Sequence, residues 1–197
     1  MKLFLKPAEA IEEMKGNEKF GKSFLVLVIA GVLLGITVLI GGQALGSLIP
    51  GASLIIGWQG ALIALVAIII LGLFSALILK IIMKVLTGKH SYHKSFATIA
   101  YPYLIFAIGI LIVTLLSLIP VVGSILGALV MVIFMALYLA AYIKMIKVLF
   151  ETDFIVALIA AIILFVSFYF LLASLVSVLT LMTGGSVLGE LGAGTIV

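Results

Sequence analysis

His90 and His93 stand three residues apart in a basic stretch, a spacing that can put two imidazoles on one helical turn and grip a metal ion. A zinc site needs three or four ligands, and the chain has no cysteine and no carboxylate beside these histidines. The pair therefore reads as part of a plain polar segment, and no metal or other cofactor is expected. The remaining reactive groups are equally sparse. The only aspartate is Asp153, and neither an H-E-x-x-H nor a G-x-S-x-G motif nor a Walker loop occurs. Hydrolysis within a membrane would need paired aspartates, a metal motif or a serine with a base, so no enzyme is expected. What is left is neutral: Gln43, Gln59, the hydroxyls of Tyr101, Tyr103, Tyr138 and Tyr142, and Ser167, Ser174 and Ser177 at helical spacing. Such groups either line a polar cavity or hydrogen-bond one helix to another.

The elements that hold these groups follow from where charge is missing. No charged residue occurs over residues 23–79, 95–143 or 154–189, and only 9% of the chain is charged, against about 25% in ordinary soluble domains. A hydrocarbon core about 30 Å thick takes about 20 apolar residues per helix. The first two stretches therefore hold two helices each, broken at Pro50-Gly51 and around Pro120 and Gly123, and the third holds one. The expectation is an all-α polytopic membrane protein, a five-transmembrane-helix bundle with spans near 24–45, 58–79, 96–118, 122–143 and 154–180. Residues 1–22 form a cytoplasmic segment, 23–182 the membrane domain and 183–197 a glycine-rich extracytoplasmic tail. Pro102 should kink or start the third helix, and Trp58 should anchor at the interface. None of the spans contains an ionisable group of the kind that couples transport to protons, so a driven pump is excluded as well.

Lysine placement gives the orientation. Lys2, Lys6, Lys15, Lys19 and Lys22 precede the first span, Lys80, Lys84, Lys89 and Lys94 fall between the second and third, and Lys144 and Lys147 between the fourth and fifth. The other connections and the tail have none. The positive-inside bias puts the N-terminus in the cytoplasm and the C-terminus outside, in the cell membrane. The apolar run after residue 22 is of span length and has no small-x-small cleavage site, so it reads as a retained anchor. Before it, Pro7 with Phe4, Ala8, Ile11 and Met14 at helical spacing predicts a short amphipathic helix over 4–15, lying on the cytoplasmic surface or docking a protein. Lys80, Lys84, Lys89, Lys94, Lys144 and Lys147, with Ile11, are the candidate contacts to protein partners or anionic lipid headgroups. The basic residues flank spans and include no arginine, so nucleic-acid binding is not expected.

Glycines four apart, Gly31 with Gly35, Gly42 with Gly46 and Gly123 with Gly127, suit close helix packing, as do Ala136 and Ala140. They serve packing inside one bundle or, alternatively, a homo-oligomer. Thr152 or Asp153 should cap the last helix, and Glu151 can pair with Lys147 across one turn.

Several segments resemble the Yip-domain family, the Rab-GTPase-interacting membrane proteins and their prokaryotic relatives. "LTGKHSYHKSFATIAYPYLIF" is similar to the family's glycine-basic loop running into an aromatic-led span, with Ala100-Tyr101 where many members have Gly-Tyr. "SLIPVVGSILG" resembles the turn between its third and fourth spans, "YLAAYIKMIKVLFETDFIVALIAA" its fourth span, short loop and fifth span, and "KPAEAIEEM" the proline-led helix of shorter members. The Asp-Leu-Tyr-Gly-Pro motif and the long N-terminal region of eukaryotic members are missing, which points to a short, prokaryotic-like member. The resemblance implies a non-enzymatic membrane scaffold, adaptor or membrane organiser. The alternative reading is a small uncoupled permease or channel for a neutral solute or lipid.

Overall fold

The structure, a computed structural model, describes residues 20–46, 57–119 and 122–182. Five α-helices follow one another: α1 Phe20–Gly46, α2 Trp58–Thr87, α3 Tyr92–Ser117, α4 Val122–Phe150 and α5 Phe154–Met182. Among the described residues there is no strand. Helices are the natural outcome, because apolar backbone in lipid must satisfy every N–H and C=O within its own segment. By length and composition α1, α2, α3 and α4 can cross a membrane. α5 is 29 residues long and carries no charged side chain. The expected helix over 4–15, the turn at Pro50 and the tail 183–197 lie outside the described residues.

Two expectations need correction. The basic stretch from Lys80 to Lys94, read as a loop, is mostly helix. Lys80 and Lys84 extend α2 to 30 residues, Lys94 lies in the first turn of α3, and only residues 88–91 connect them. At 1.5 Å per residue α2 is about 45 Å long, well beyond a hydrocarbon core of about 30 Å. Lysine is a good helix former, so charge marks the membrane edge and not the helix end. Lys144 and Lys147 extend α4 in the same way. Pro102, in turn, does not start α3. The helix begins at Tyr92 and runs through Pro102, which is buried. Pro102 has no N–H to offer the Thr98 carbonyl.

The helix ends have local causes. Gly88 stops α2 in the left-handed conformation (φ 70°), its N–H donating to the Lys84 carbonyl. Ser91 caps α3, its hydroxyl accepting from the Lys94 N–H at 3.5 Å. α3 lies at the centre and packs on α1, α2 and α4, while α5 packs on α2 and α4. The core gathers toward one end: Leu27 of α1, Leu79 and Met83 of α2, Phe96 and Ile99 of α3, Met145, Ile146 and Leu149 of α4, and Ala157 and Ala160 of α5. Further along α4, Ile125, Leu129, Val132, Ile133 and Leu137 are exposed on the molecule's surface, as lipid-facing side chains would be.

Glycine lets the helix axes approach. A Cβ on Gly31 would press on Leu65 and Ile68 of α2, and one on Gly35 would lie 3.1 Å from the Ala61 carbonyl oxygen. A Cβ on Gly127 would make only ordinary contact with Val113, at 3.5 Å. Gly42 and Gly46 are in α1, where their packing lies outside the described residues. Gly72 against Leu27 and Gly109 against Phe134 are as tight, each with a Cβ contact of 2.6 Å. Neither belongs to a four-residue glycine pair, so spacing does not reveal them.

Candidate functional site

Two contacts fix which helix ends lie together. The Phe20 ring, at the start of α1, packs on Phe96 (4.8 Å between centroids), Tyr92 and His93 at the start of α3. Lys89, between α2 and α3, reaches the end of α4: its Nζ donates to the Phe150 carbonyl at 3.0 Å and the Glu151 carbonyl at 3.1 Å. One end of the bundle therefore collects Lys84, Lys89, Lys94, Lys144 and Lys147 around the joints of α1, α2, α3, α4 and α5. Lys84 and Lys147 are exposed, whereas Lys80, Lys94 and Lys144 are partly covered. Apolar side chains are interleaved with them, and Val85, 79% exposed, is the barest. Beside Lys144 and Lys147, a recess of ≈ 650 Å³ is also lined by Ala140, Ile143, Val148 and Phe154. Ile11 and the other N-terminal lysines before residue 20 lie outside the described residues.

Lys89 is the member of this set with a structural task. It places a cation on the carbonyls at the C-terminus of α4, where the helix dipole favours positive charge. Its Nζ also lies 3.9 Å from a carboxylate oxygen of Glu151. The α4 end it binds is a left-handed stop: Glu151 has φ 50°, and the Thr152 N–H donates back to the Lys147 carbonyl at 3.1 Å. For a residue other than glycine that conformation costs roughly 1–2 kcal/mol. Replacing Glu151 by glycine is therefore expected to stabilise the fold by about 0.5–1 kcal/mol, the relief of strain being partly offset by glycine's greater freedom in the unfolded chain. The Lys89 bonds to backbone carbonyls would remain. An unfolding titration in mixed micelles gives the sign, and a loss of stability would show that the Glu151 side chain outweighs the backbone.

At the start of α5 the two expected caps behave differently. The Asp153 carbonyl accepts the Ala157 N–H at 3.0 Å, which puts Asp153 in the N-cap position, its acid at the positive end of the helix. The Thr152 hydroxyl is buried without a hydrogen-bond partner, so it does not cap. Of the two histidines, His93 meets the Phe20 ring edge-on and His90 Nδ1 lies 3.4 Å from the Gly88 carbonyl. No cluster of three metal-ligating side chains occurs among the described residues.

The tyrosines form a second locus. Tyr103 and Tyr138 stack at 6.4 Å, Tyr138 and Tyr142 at 6.3 Å, and Phe165 of α5 packs against both Tyr138 and Tyr142. The Ser75 and Tyr103 hydroxyls are 3.5 Å apart. The Tyr103, Tyr138 and Phe165 rings, with Phe106, border a cavity of ≈ 400 Å³ among α2, α3, α4 and α5, lined also by aliphatic side chains such as Ile68, Leu71 and Leu164. Ser75 was not among the polar groups singled out from sequence. Tyr101 packs against the core, and the surroundings of Ser174 and Ser177 lie outside the described residues.

With the helix order, the basic end and the aromatic-led third helix in place, comparison with known families is decisive. The Yip1 domain matches residues 1–175. This chain belongs to the Yip1-domain family. No curated relative and no solved structure matches it at a significant level. The Yip1 domain match includes every segment through which the sequence resembles the family, from the N-terminal stretch to the start of the fifth helix.

Proposed function

We propose that this Yip1-domain protein is a five-span, non-enzymatic scaffold, adaptor or membrane organiser of the cell membrane. Its N-terminus lies in the cytoplasm and its C-terminus outside, and it works through the basic end of the bundle. The observation that carries this reading is the presentation of Lys84, Lys94, Lys144 and Lys147 on helices at one end, with Val85 and Leu86 exposed among them. Such a surface combines positive charge for acidic partner segments or anionic headgroups with apolar anchors. The lack of lysine in the connections at the opposite end supports the orientation.

The test is gentle co-purification from native membranes, with mass spectrometry of bound proteins and lipids. A stoichiometric protein partner or an enriched anionic lipid is expected. It should be lost when Lys84, Lys94 and Lys147 are changed to glutamate, a variant that leaves the Lys89 contacts in place. A variant that stays folded and keeps every partner and lipid would sink the proposal. Accessibility of single cysteines introduced at residues 85 and 58, probed with a membrane-impermeant thiol reagent on intact cells, checks the orientation independently. Only the one at 58 should react.

A further inference from the structure

We propose that the cavity among α2, α3, α4 and α5 binds one hydrocarbon chain of a neutral lipid and holds an uncharged oxygen acceptor of that lipid on the hydroxyls of Tyr103 and Tyr138. The volume, ≈ 400 Å³, lies in the range of roughly 300–1,000 Å³ typical of small-ligand sites. Its lining contains no charged residue, and a ligand with a net charge would be stripped of solvent there without a counter-ion. The aliphatic part of the wall suits a chain. The polar part has hydroxyls to spare. The Ser75–Tyr103 contact is long, at 3.5 Å, and among the described residues the Tyr138 hydroxyl makes no hydrogen bond. Behind it, the Tyr142 hydroxyl is buried and also unpartnered. Burying a hydroxyl without a partner costs free energy, so an acceptor oxygen on the ligand meets an unfilled need. An ester carbonyl or an alcohol oxygen at the end of a chain has that chemistry. The site shares no lining residue with the recess beside Lys144 and Lys147, and the proposal is independent of the function argued above.

The test uses the full chain in phosphatidylcholine nanodiscs with a monoacylglycerol that carries a diazirine on its chain. Photolabelling is expected within the cavity wall, at Ile68, Met135 or Leu164, and unlabelled monoolein should compete it away. Changing both Tyr103 and Tyr138 to phenylalanine keeps the rings and removes the donors. That variant should need about tenfold more probe for half-maximal labelling, since two neutral hydrogen bonds are lost. Labelling confined to outward residues such as Leu62 and Val66, or equal labelling of the wild type and the double variant, would overturn the proposal. So would a cavity labelled only by a diazirine fatty acid at neutral pH, because that ligand presents a carboxylate. The phenylalanine variant should keep the wild-type melting temperature without probe to within a few degrees, which separates lost binding from lost folding.

Discussion

Substituting alanine for Gly123 is expected to lower the stability of the bundle by about 3 kcal/mol or more, one of the largest effects a single methyl can have here. The cause is local. The Gly123 N–H donates to the Ile119 carbonyl at 3.0 Å, so the start of α4 lies against the end of α3. A Cβ at this position would run into the Leu116 carbonyl oxygen, and would lie 2.9 Å from the Leu116 carbonyl carbon and 3.2 Å from Ile119 Cβ. The first two obstacles are backbone, which cannot rotate aside as a side chain can. Relief requires reopening the turn and shifting α4 relative to α3, its neighbour over much of its length. Gly127→Ala is the matched control. One turn further along the same helix, its new methyl would meet only Val113 at ordinary contact distance. It should be neutral or slightly stabilising, as alanine is a better helix former by about 1 kcal/mol. Unfolding of both variants by SDS titration in mixed micelles, followed by helical circular dichroism, provides the comparison. Equal behaviour of the two would show that the turn yields freely.

Replacement of Lys89 by methionine should cost about 2 kcal/mol and loosen the joint between the α2–α3 and α4–α5 connections. Hydrogen bonds from charged donors contribute about 1.5–3 kcal/mol when well shielded. Here the side chain is 51% exposed, so water competes and two bonds together contribute about as much as one shielded bond. Most of the effect should survive high salt, because the acceptors are carbonyls at a helix end and not a distant carboxylate. Lys84→Met, also exposed and at the same end, serves as the reference and should change stability by no more than about 0.5 kcal/mol. Hydrogen exchange adds a local readout: in the Lys89 variant the last turn of α4 and residues 151–153 should exchange faster, while α1 is unaffected. Unchanged protection there would mean that the Lys89 contacts do not hold the joint.

The helices were legible in the sequence because lipid imposes a coarse rule, and absence of charge over residues 23–79 and 95–143 is a long-range signal that no local ambiguity can blur. The starts of α2, α4 and α5 agree with the expected 58, 122 and 154. The lysine-bearing helix ends were misread for a physical reason. Hydropathy locates the edge of the hydrocarbon, whereas α2 and α4 end where Gly88 and Glu151 turn left-handed. At Gly88 the residue type carries that signal, and at Glu151 nothing does. The aromatic cavity was half legible. Tyr103 and Tyr138 stand out as polar groups in apolar runs, but the wall they share with Ser75 and Phe165 is assembled from four helices and has no periodicity along any one of them. Lys89 looked like its neighbours for the same reason, since its acceptors are about sixty residues away in the chain.

The left-handed glutamate at the end of α4 also has a meaning at the level of the gene. Every glutamate codon becomes a glycine codon by one base change, so a more relaxed backbone at residue 151 is a single mutational step away. In a library of all single-base variants under selection for the protein's own role, glycine at 151 reports which property is kept. Enrichment of that variant would mark backbone ease as limiting. Depletion, in a protein made more stable by the change, would mark the carboxylate itself as what selection holds in place.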